Sequence, residues 1–292
     1  MKIIVTGGGG FIAGHTILEL RKLGYEVLPL DIRASSLFPE IEITICDILS
    51  SDLKKYINEG DKILHLCAVP IVEADPRIIF RVNVEGLINV VQCALEKKAE
   101  RIVAASSGAV YFGISDIHPP IDESCSMQPN TYYGFSKVVA EQILKMHKND
   151  LPFINLRYGY VYGRGAKGAV SCFINLLSQN KPVILYGGKQ QVEQVYVKDI
   201  VQANILALNT SYTNESYNIG TGNPMPIRQI YDICSILLNR KLEPIIKPAR
   251  PWDPPIFWYD IGKAIRLLGY SPKWTLTEGI KDMLREIEIR GS

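Results

Sequence analysis

Residues 2–6 (KIIVT) form a short β-branched run that passes directly into four consecutive glycines, Gly7 to Gly10, and then into an apolar-periodic segment from Phe11 to Leu23 closed by Gly24. The order is strand, tight turn, helix. It continues along the chain. YEVLPLD (25–31), EITICD (42–47), DKILHLCA (61–68), RIVAASS (101–107) and PFINLRY (152–158) read as strands, with helices at 51–59, from Asp75-Pro76 to about Lys98, and at 129–147. Strands that alternate with helices and are apolar on both faces call for a parallel sheet covered on two sides. After about residue 165 the pattern is less regular, with short strands (PVILY, VEQVYV, SYNIG), a proline-rich connection at 244–255 and helices near 226–239 and 276–290. The fold expected is α/β, with a doubly wound parallel sheet over 1–165 and a smaller C-terminal α/β lobe over 166–292, the chain being free to cross between them.

A length of 292 residues is enough for one to two domains of about 150 residues each and for a substantial core. The formal charge is +2, with no long run of one sign, so a nucleic-acid footprint is not expected while small anionic ligands stay open. Cys46, Cys67, Cys93, Cys125, Cys172 and Cys234 have no metal-ligand spacing and read as reduced packing residues. The N-terminus lacks the pattern of a signal peptide and no apolar run reaches the roughly 20 residues of a membrane span, so a cytoplasmic protein without membrane contact is expected. His15, His65, His118 and His147 show no ligand spacing, and no metal site is expected.

Glycines between a strand and a helix permit positive φ and let backbone N–H groups approach a pyrophosphate at the helix N-terminus. Asp31 ends the second strand, 24 residues beyond Gly7, where a carboxylate can accept both hydroxyls of an adenosine ribose and repel a 2′-phosphate. That favours NAD over NADP, with Arg33 able to soften the preference. A solvated strand end would also carry such an aspartate, and Asp47, after the third strand, reads equally as an adenine contact or an exposed loop residue.

Tyr133 and Lys137 fall i, i+4 on one helix, so their side chains share a face and can converge on one ligand. The spacing alone is common; its position after a strand that ends in Ser106-Ser107 sharpens it. A tyrosine of pKa about 10 is a poor base at neutral pH, but a nearby ammonium and a positive nicotinamide ring favour the phenolate. Ser107 at the strand end would hold the reacting oxygen.

With VTGGGGFIAGH, LDIRASS, CDI, HLCA, NVEGLINVVQCA, ASSGAVY, PNTYYGFSK, LRYGYVYG, YVKDIVQA, YNIGTG, ARPWD and LLGYSPKW, the sequence resembles the extended short-chain dehydrogenase/reductase family over nearly its whole length, especially nucleotide-sugar epimerases and dehydratases of UDP-glucose 4-epimerase type. The resemblance implies a Rossmann domain holding NAD, a smaller lobe holding the nucleoside diphosphate of a sugar substrate, and a homodimer formed through the helices at about 75–98 and 129–147. It further implies that Gly7, Gly10, Phe11 and Ile12 line the pyrophosphate, Asp31, Ser35 and Ser36 the adenosine ribose, and Asp47 and Ile48 the adenine. Leu66, Cys67 and Ala68 would pass beneath the cofactor, supported by Asn83, with Lys137 on the nicotinamide ribose and Tyr158 beside the nicotinamide. Ser107, Tyr133 and Lys137 would be catalytic.

Departures from the family pattern matter. Ala13 stands where a third glycine is usual, and Gly108 and Ala109 stand where the 4,6-dehydratases carry an acidic pair. Tyr160 replaces an asparagine that contacts the substrate diphosphate, and the loop at Gln191, Val192 and Glu193 lacks an arginine expected there. Arg250 of ARPWD matches a nucleotide-gripping arginine, with Arg164 and Lys167 available to compensate. The leading expectation is C4 epimerisation of a nucleotide sugar through transient oxidation to a 4-keto stage. The same residues would serve an NAD(P)H-dependent reductase or an atypical dehydratase of a nucleotide-linked keto sugar, and from another class a non-catalytic NAD-sensing protein.

Overall fold

The computed structural model describes residues 1–70, 74–116, 118–250 and 253–291, with only the backbone of 289–291. Seven strands, β1 (Ile3–Thr6), β2 (Val27–Asp31), β3 (Thr44–Ile45), β4 (Lys62–His65), β5 (Arg101–Ser107), β6 (Phe153–Tyr158) and β7 (Glu215–Ile219), form one sheet in the order β7-β6-β5-β4-β1-β2-β3. Every pairing in it is parallel. The strand order reverses between β1 and β4, and such a reversal opens a crevice at the carboxyl ends of the strands. All four residues of β1 and of β4 are buried, as a sheet covered on both faces requires.

Helices α1 (Phe11–Lys22) and α4 (Val197–Asn209) cover one face, where Val5, Ile17, Leu64, Ile200 and Ala207 share a core. Helices α2 (Pro76–Glu96) and α3 (Tyr132–Met146) cover the other, around Ile4, Ile63, Val90, Ile102 and Leu144. The expected start of α2 holds, because Asp75 accepts from Arg77 N at 2.9 Å with Pro76 in the first turn. Its middle, Arg81–Glu85, widens into a π turn in which Asn83 is buried. Although no membrane span is expected from the sequence, α2 is long and apolar enough to cross a bilayer by composition alone; here Ile79, Leu87, Val90 and Val91 pack into the protein core. The expected helix at 51–59 shortens to a 3-10 turn, Ser51–Lys55, and only Thr44–Ile45 of 42–47 is paired.

Residue 165 does not separate the two lobes cleanly. Val197–Asn209 packs back on the large sheet, and SYNIG, read from sequence with the smaller lobe, supplies β7 beside β6. The smaller lobe is built from short pairings: Tyr160–Tyr162 with Gln194–Tyr196, Ile184–Tyr186 with Ile245–Lys247, and Gln191–Val192 between Met225–Pro226 and Ile256–Phe257. VEQVYV thus splits at Glu193, whose fully buried carboxylate accepts the N–H groups of Thr221, Gly222 and Tyr259 at 2.7, 2.8 and 3.1 Å. Helices Ala169–Ser178, Ile227–Leu237 and Leu276–Gly291 complete the lobe.

Candidate active site

At the reversal between β1 and β4, a cleft of about 430 Å³ is lined by Gly7, Gly9 and Gly10, by Asp31 to Arg33, by Cys46 to Leu49 and by Leu66 to Val69. Gly7 adopts φ +73°, and a Cβ on it would stand 2.7 Å from Cα and N of Cys67, so only glycine fits. Gly10 caps α1 without a side chain, and the first intrahelical bond runs from Gly14 N to Gly10 O. The N–H groups of Phe11, Ile12 and Ala13 therefore have no helical acceptor, which is the arrangement that takes an anion. Asp31 is held at the far side by Gly9 N (3.0 Å) and Ile32 N (2.7 Å). A pyrophosphate against the helix start and a ribose diol against Asp31 fit this cradle, as NAD requires.

Several expected contacts have other partners. Ser35 is buried; its hydroxyl donates to Gly9 O at 3.0 Å and accepts from Phe38 N at 3.2 Å, so it braces the glycine turn from behind instead of lining the cleft. Ser36 is exposed and also outside the cleft lining. Phe11 meets His15 edge-on at 5.5 Å and Ile12 packs against the sheet core, leaving their backbones to serve the turn. Ala13 is buried, and the glycine that close packing demands is the next residue: a Cβ on Gly14 would overlap the Phe38 ring at 2.0 Å. Asp47 and Ile48 line the cleft. Leu66, Cys67 and Ala68 form its floor, and burial, with Asp31 nearby, pushes the Cys67 thiol up to about 12. Asn83 supports that floor, accepting from Val69 N at 2.7 Å and donating to Ser136 Oγ at 3.0 Å.

A second pocket, of about 340 Å³, opens at the ends of β5 and β6. Ser107, Gly108 and Ala109 form one side, Thr131 and Tyr133 another, with Phe112, Tyr158, Tyr160, Arg250, Asp253 and Phe257 completing the wall. Pro251 and Trp252 of ARPWD lie outside the described residues. Tyr133 rises in the first turn of α3, which Thr131 caps by accepting from Gly134 N at 3.0 Å. Lys137 lies one turn further, 4 % exposed, with Nζ donating to Ala105 O at 2.8 Å and standing 5.9 Å from the centre of the Tyr133 ring. Burial draws its ammonium down to about 8, against the opposing pull of Cys67 and Glu141. Burial pushes the Tyr133 phenol upward, against a hydrogen bond with Ser107. The fall toward neutral pH expected from sequence is therefore not found in the protein alone, and a positive charge such as a nicotinamide ring would have to supply it.

The structure brings Ser107, Tyr133, Tyr158, Tyr160 and Arg250 together on this one pocket. Tyr160 stacks with Phe112 at 5.9 Å and meets Phe257 at 6.0 Å, while the Arg250 guanidinium lies 4.2 Å over the Tyr186 ring. Arg164 is directed elsewhere, donating to Leu37 O at 3.0 Å and covering the Phe38 ring, and exposed Lys167 is outside the pocket lining. Sequence reasoning missed Thr131, Phe112, Phe257 and Asp253. It also missed Asn204 on α4, which accepts the Tyr158 hydroxyl at 2.5 Å and has no signal in the local sequence.

A reversed parallel sheet with a glycine turn at the crevice, and a serine and tyrosine on an adjoining pocket with a buried lysine one helical turn from the tyrosine, defines a dinucleotide-dependent enzyme of the short-chain dehydrogenase/reductase class. The model of the NAD dependent epimerase/dehydratase family matches residues 3–220, and the chain belongs to that family. A Methanocaldococcus jannaschii protein, provisionally named a UDP-glucose 4-epimerase, is 33 % identical over 302 residues, covering 96 % of each chain. Among solved structures, UDP-glucose 4-epimerase of Thermotoga maritima with UDP-glucose superposes with a TM-score of 0.93 at 28 % identity over 100 % of both chains. UDP-glucuronic acid 4-epimerase of Bacillus cereus, in complex with UDP-glucuronic acid and NAD, gives 0.90 at 26 % identity, covering 99 % of this chain and 100 % of that one.

Proposed function

We propose that this protein is a UDP-sugar 4-epimerase that works through transient oxidation of its substrate to the 4-keto sugar. The observation that carries the reading is the shared pocket wall of Ser107 and Tyr133, beside Gly108 and Ala109, which offer no acid for loss of a 6-hydroxyl. NAD, when bound, supplies the reversible two-electron acceptor. Tyr133 takes the proton of the C4 hydroxyl and later returns it, Ser107 holds that oxygen, and Lys137 keeps a positive charge beside the phenol. The aromatic wall of Phe112, Tyr160 and Phe257 sheds water, and Arg250 offers a cation to the diphosphate. Similarity to the UDP-sugar epimerases named above supports the substrate class.

The test is mass spectrometry of nucleotides released by acid from freshly purified protein, followed by incubation with UDP-glucose. Near-stoichiometric NAD and appearance of UDP-galactose are expected. Protein that emerges empty, binds NADPH and inverts no UDP-sugar would be a reductase instead.

The assembly we propose is a homodimer through α2 and α3, on which Ile78, Ile88, Tyr132, Phe135 and Met146 are exposed. Sedimentation showing only monomer would end that reading. A cytoplasmic setting is supported by six cysteines, all unpaired.

A further inference from the structure

Beneath the catalytic centre lies a carboxylate that the mechanism above does not use. Glu141 continues the helical row of Tyr133 and Lys137 by one more turn and is 5 % exposed. Its Oε1 accepts from Ser106 Oγ at 2.5 Å and from Arg157 Nε at 2.9 Å; its Oε2 accepts from Arg157 Nη2 at 2.6 Å and from Ser216 Oγ at 3.3 Å. Ser106 immediately precedes Ser107, and Arg157 immediately precedes Tyr158. One side chain on α3 thus holds the neighbours of both strand-end residues that form the pocket, and Ser216 ties in β7. Arg157 is held in turn by the Tyr111 hydroxyl, which donates to Asn218 Oδ1 at 3.2 Å.

We infer that Glu141 is a positioning residue of this centre, fixing β5 and β6 against the helix of Tyr133 and Lys137 through its bonds to Ser106, Arg157 and Ser216. The inference rests on the epimerase reading only for its kinetic consequence. Among the described residues, the groups that bear on Lys137 are few. From its own helix come Tyr133 and Glu141, from β4 and its extension His65 and Cys67, and from β5 the Ala105 carbonyl and, through Tyr133, Ser107. Burial brings His65 down to about 3 and lifts Cys67 to about 12, so both are neutral over the working range. Glu141, ion-paired with Arg157 at 2.6 Å, is then the carboxylate among these groups, so its loss should also register at Lys137.

The test is an NMR titration of the Lys137 Cε signal in lysine-labelled protein, assigned with Lys137→Met, together with the pH profile of kcat/KM. Glu141→Gln is expected to lower the Lys137 midpoint by about one pH unit, and to move the alkaline limb of the profile down with it. Glu141→Asp keeps the charge but cannot reach both Ser106 and Arg157, so kcat should fall about tenfold with the midpoint in place. A kcat and a Lys137 midpoint both unmoved by Glu141→Gln would overturn the inference. If Glu141→Gln does not fold, Glu141→Asp decides: an unchanged kcat overturns the positioning role. The titration needs no substrate, so a wild type that inverts no UDP-sugar would defeat the epimerase reading without touching this one.

Discussion

The hydroxyl of Tyr158 donates to Oδ1 of Asn204 at 2.5 Å, and Nδ2 of the same asparagine donates to Thr16 Oγ1 at 3.1 Å. Thr16 in turn donates to Ile12 O at 2.8 Å, inside the first turns of the helix that begins at the glycine loop. A line of hydrogen bonds therefore joins Tyr158, on the pocket wall, to the first turn of α1, the helix that follows the glycine loop. Asn204→Leu leaves the Tyr158 and Thr16 hydroxyls buried with fewer partners, and should cost about 1–3 kcal/mol. Urea unfolding would show the lower midpoint, and less NAD should be retained on purification.

Tyr133→Phe removes the one hydroxyl the mechanism needs as base and acid while leaving the cradle of Gly7 and Asp31 intact. Turnover should fall by about a hundred- to ten-thousand-fold, with NAD content unchanged by mass spectrometry. Retained turnover would mean that another group moves the proton.

Asp31→Ala removes the carboxylate fixed by Gly9 N and Ile32 N at the end of β2. NAD affinity should drop about tenfold, the equivalent of one lost charged hydrogen bond. NADP should gain relative to NAD, since the repulsion is gone and Arg33 lines the same cleft. Titration calorimetry with both dinucleotides checks the sign.

His65 is buried with Nδ1 2.8 Å from Thr6 Oγ1, and burial holds its pKa near about 3. Between that value and the ordinary 6.5, the unfolded chain takes up a proton that the folded one refuses. Stability contributed by neutral His65 is thus complete above pH about 6.5 and is lost on acidification, by about 1.4 kcal/mol for each pH unit. His65→Asn should flatten the acid side of the stability profile measured by urea unfolding at a series of pH values.

The alternation of strand and helix was legible because burial on both faces leaves an unbroken apolar run, as in β1 and β4. Tyr133 and Lys137 were legible from their i, i+4 spacing after a strand end. Roles set by tertiary partners were not. Ser35 has the residue type of a ribose contact, yet Phe38 and Gly9 claim its hydroxyl. The close-packing glycine of α1 is Gly14 because Phe38, 24 positions away in sequence, fills the space above it. VEQVYV reads as one strand until the backbone donors of Thr221, Gly222 and Tyr259 are seen to capture Glu193 and break it.

The place of β7 bears on how the chain is made. Residues 215–219 are synthesised long after β6, which they pair along its length. Until then the outer edge of β6 offers unpaired N–H and C=O groups to any passing strand. A nascent chain that has emerged only to residue 165 holds nearly all of its glycine cradle yet cannot seal the sheet beside it. Folding upon the ribosome should therefore come late, with that open margin the point where a chaperone has most to shield.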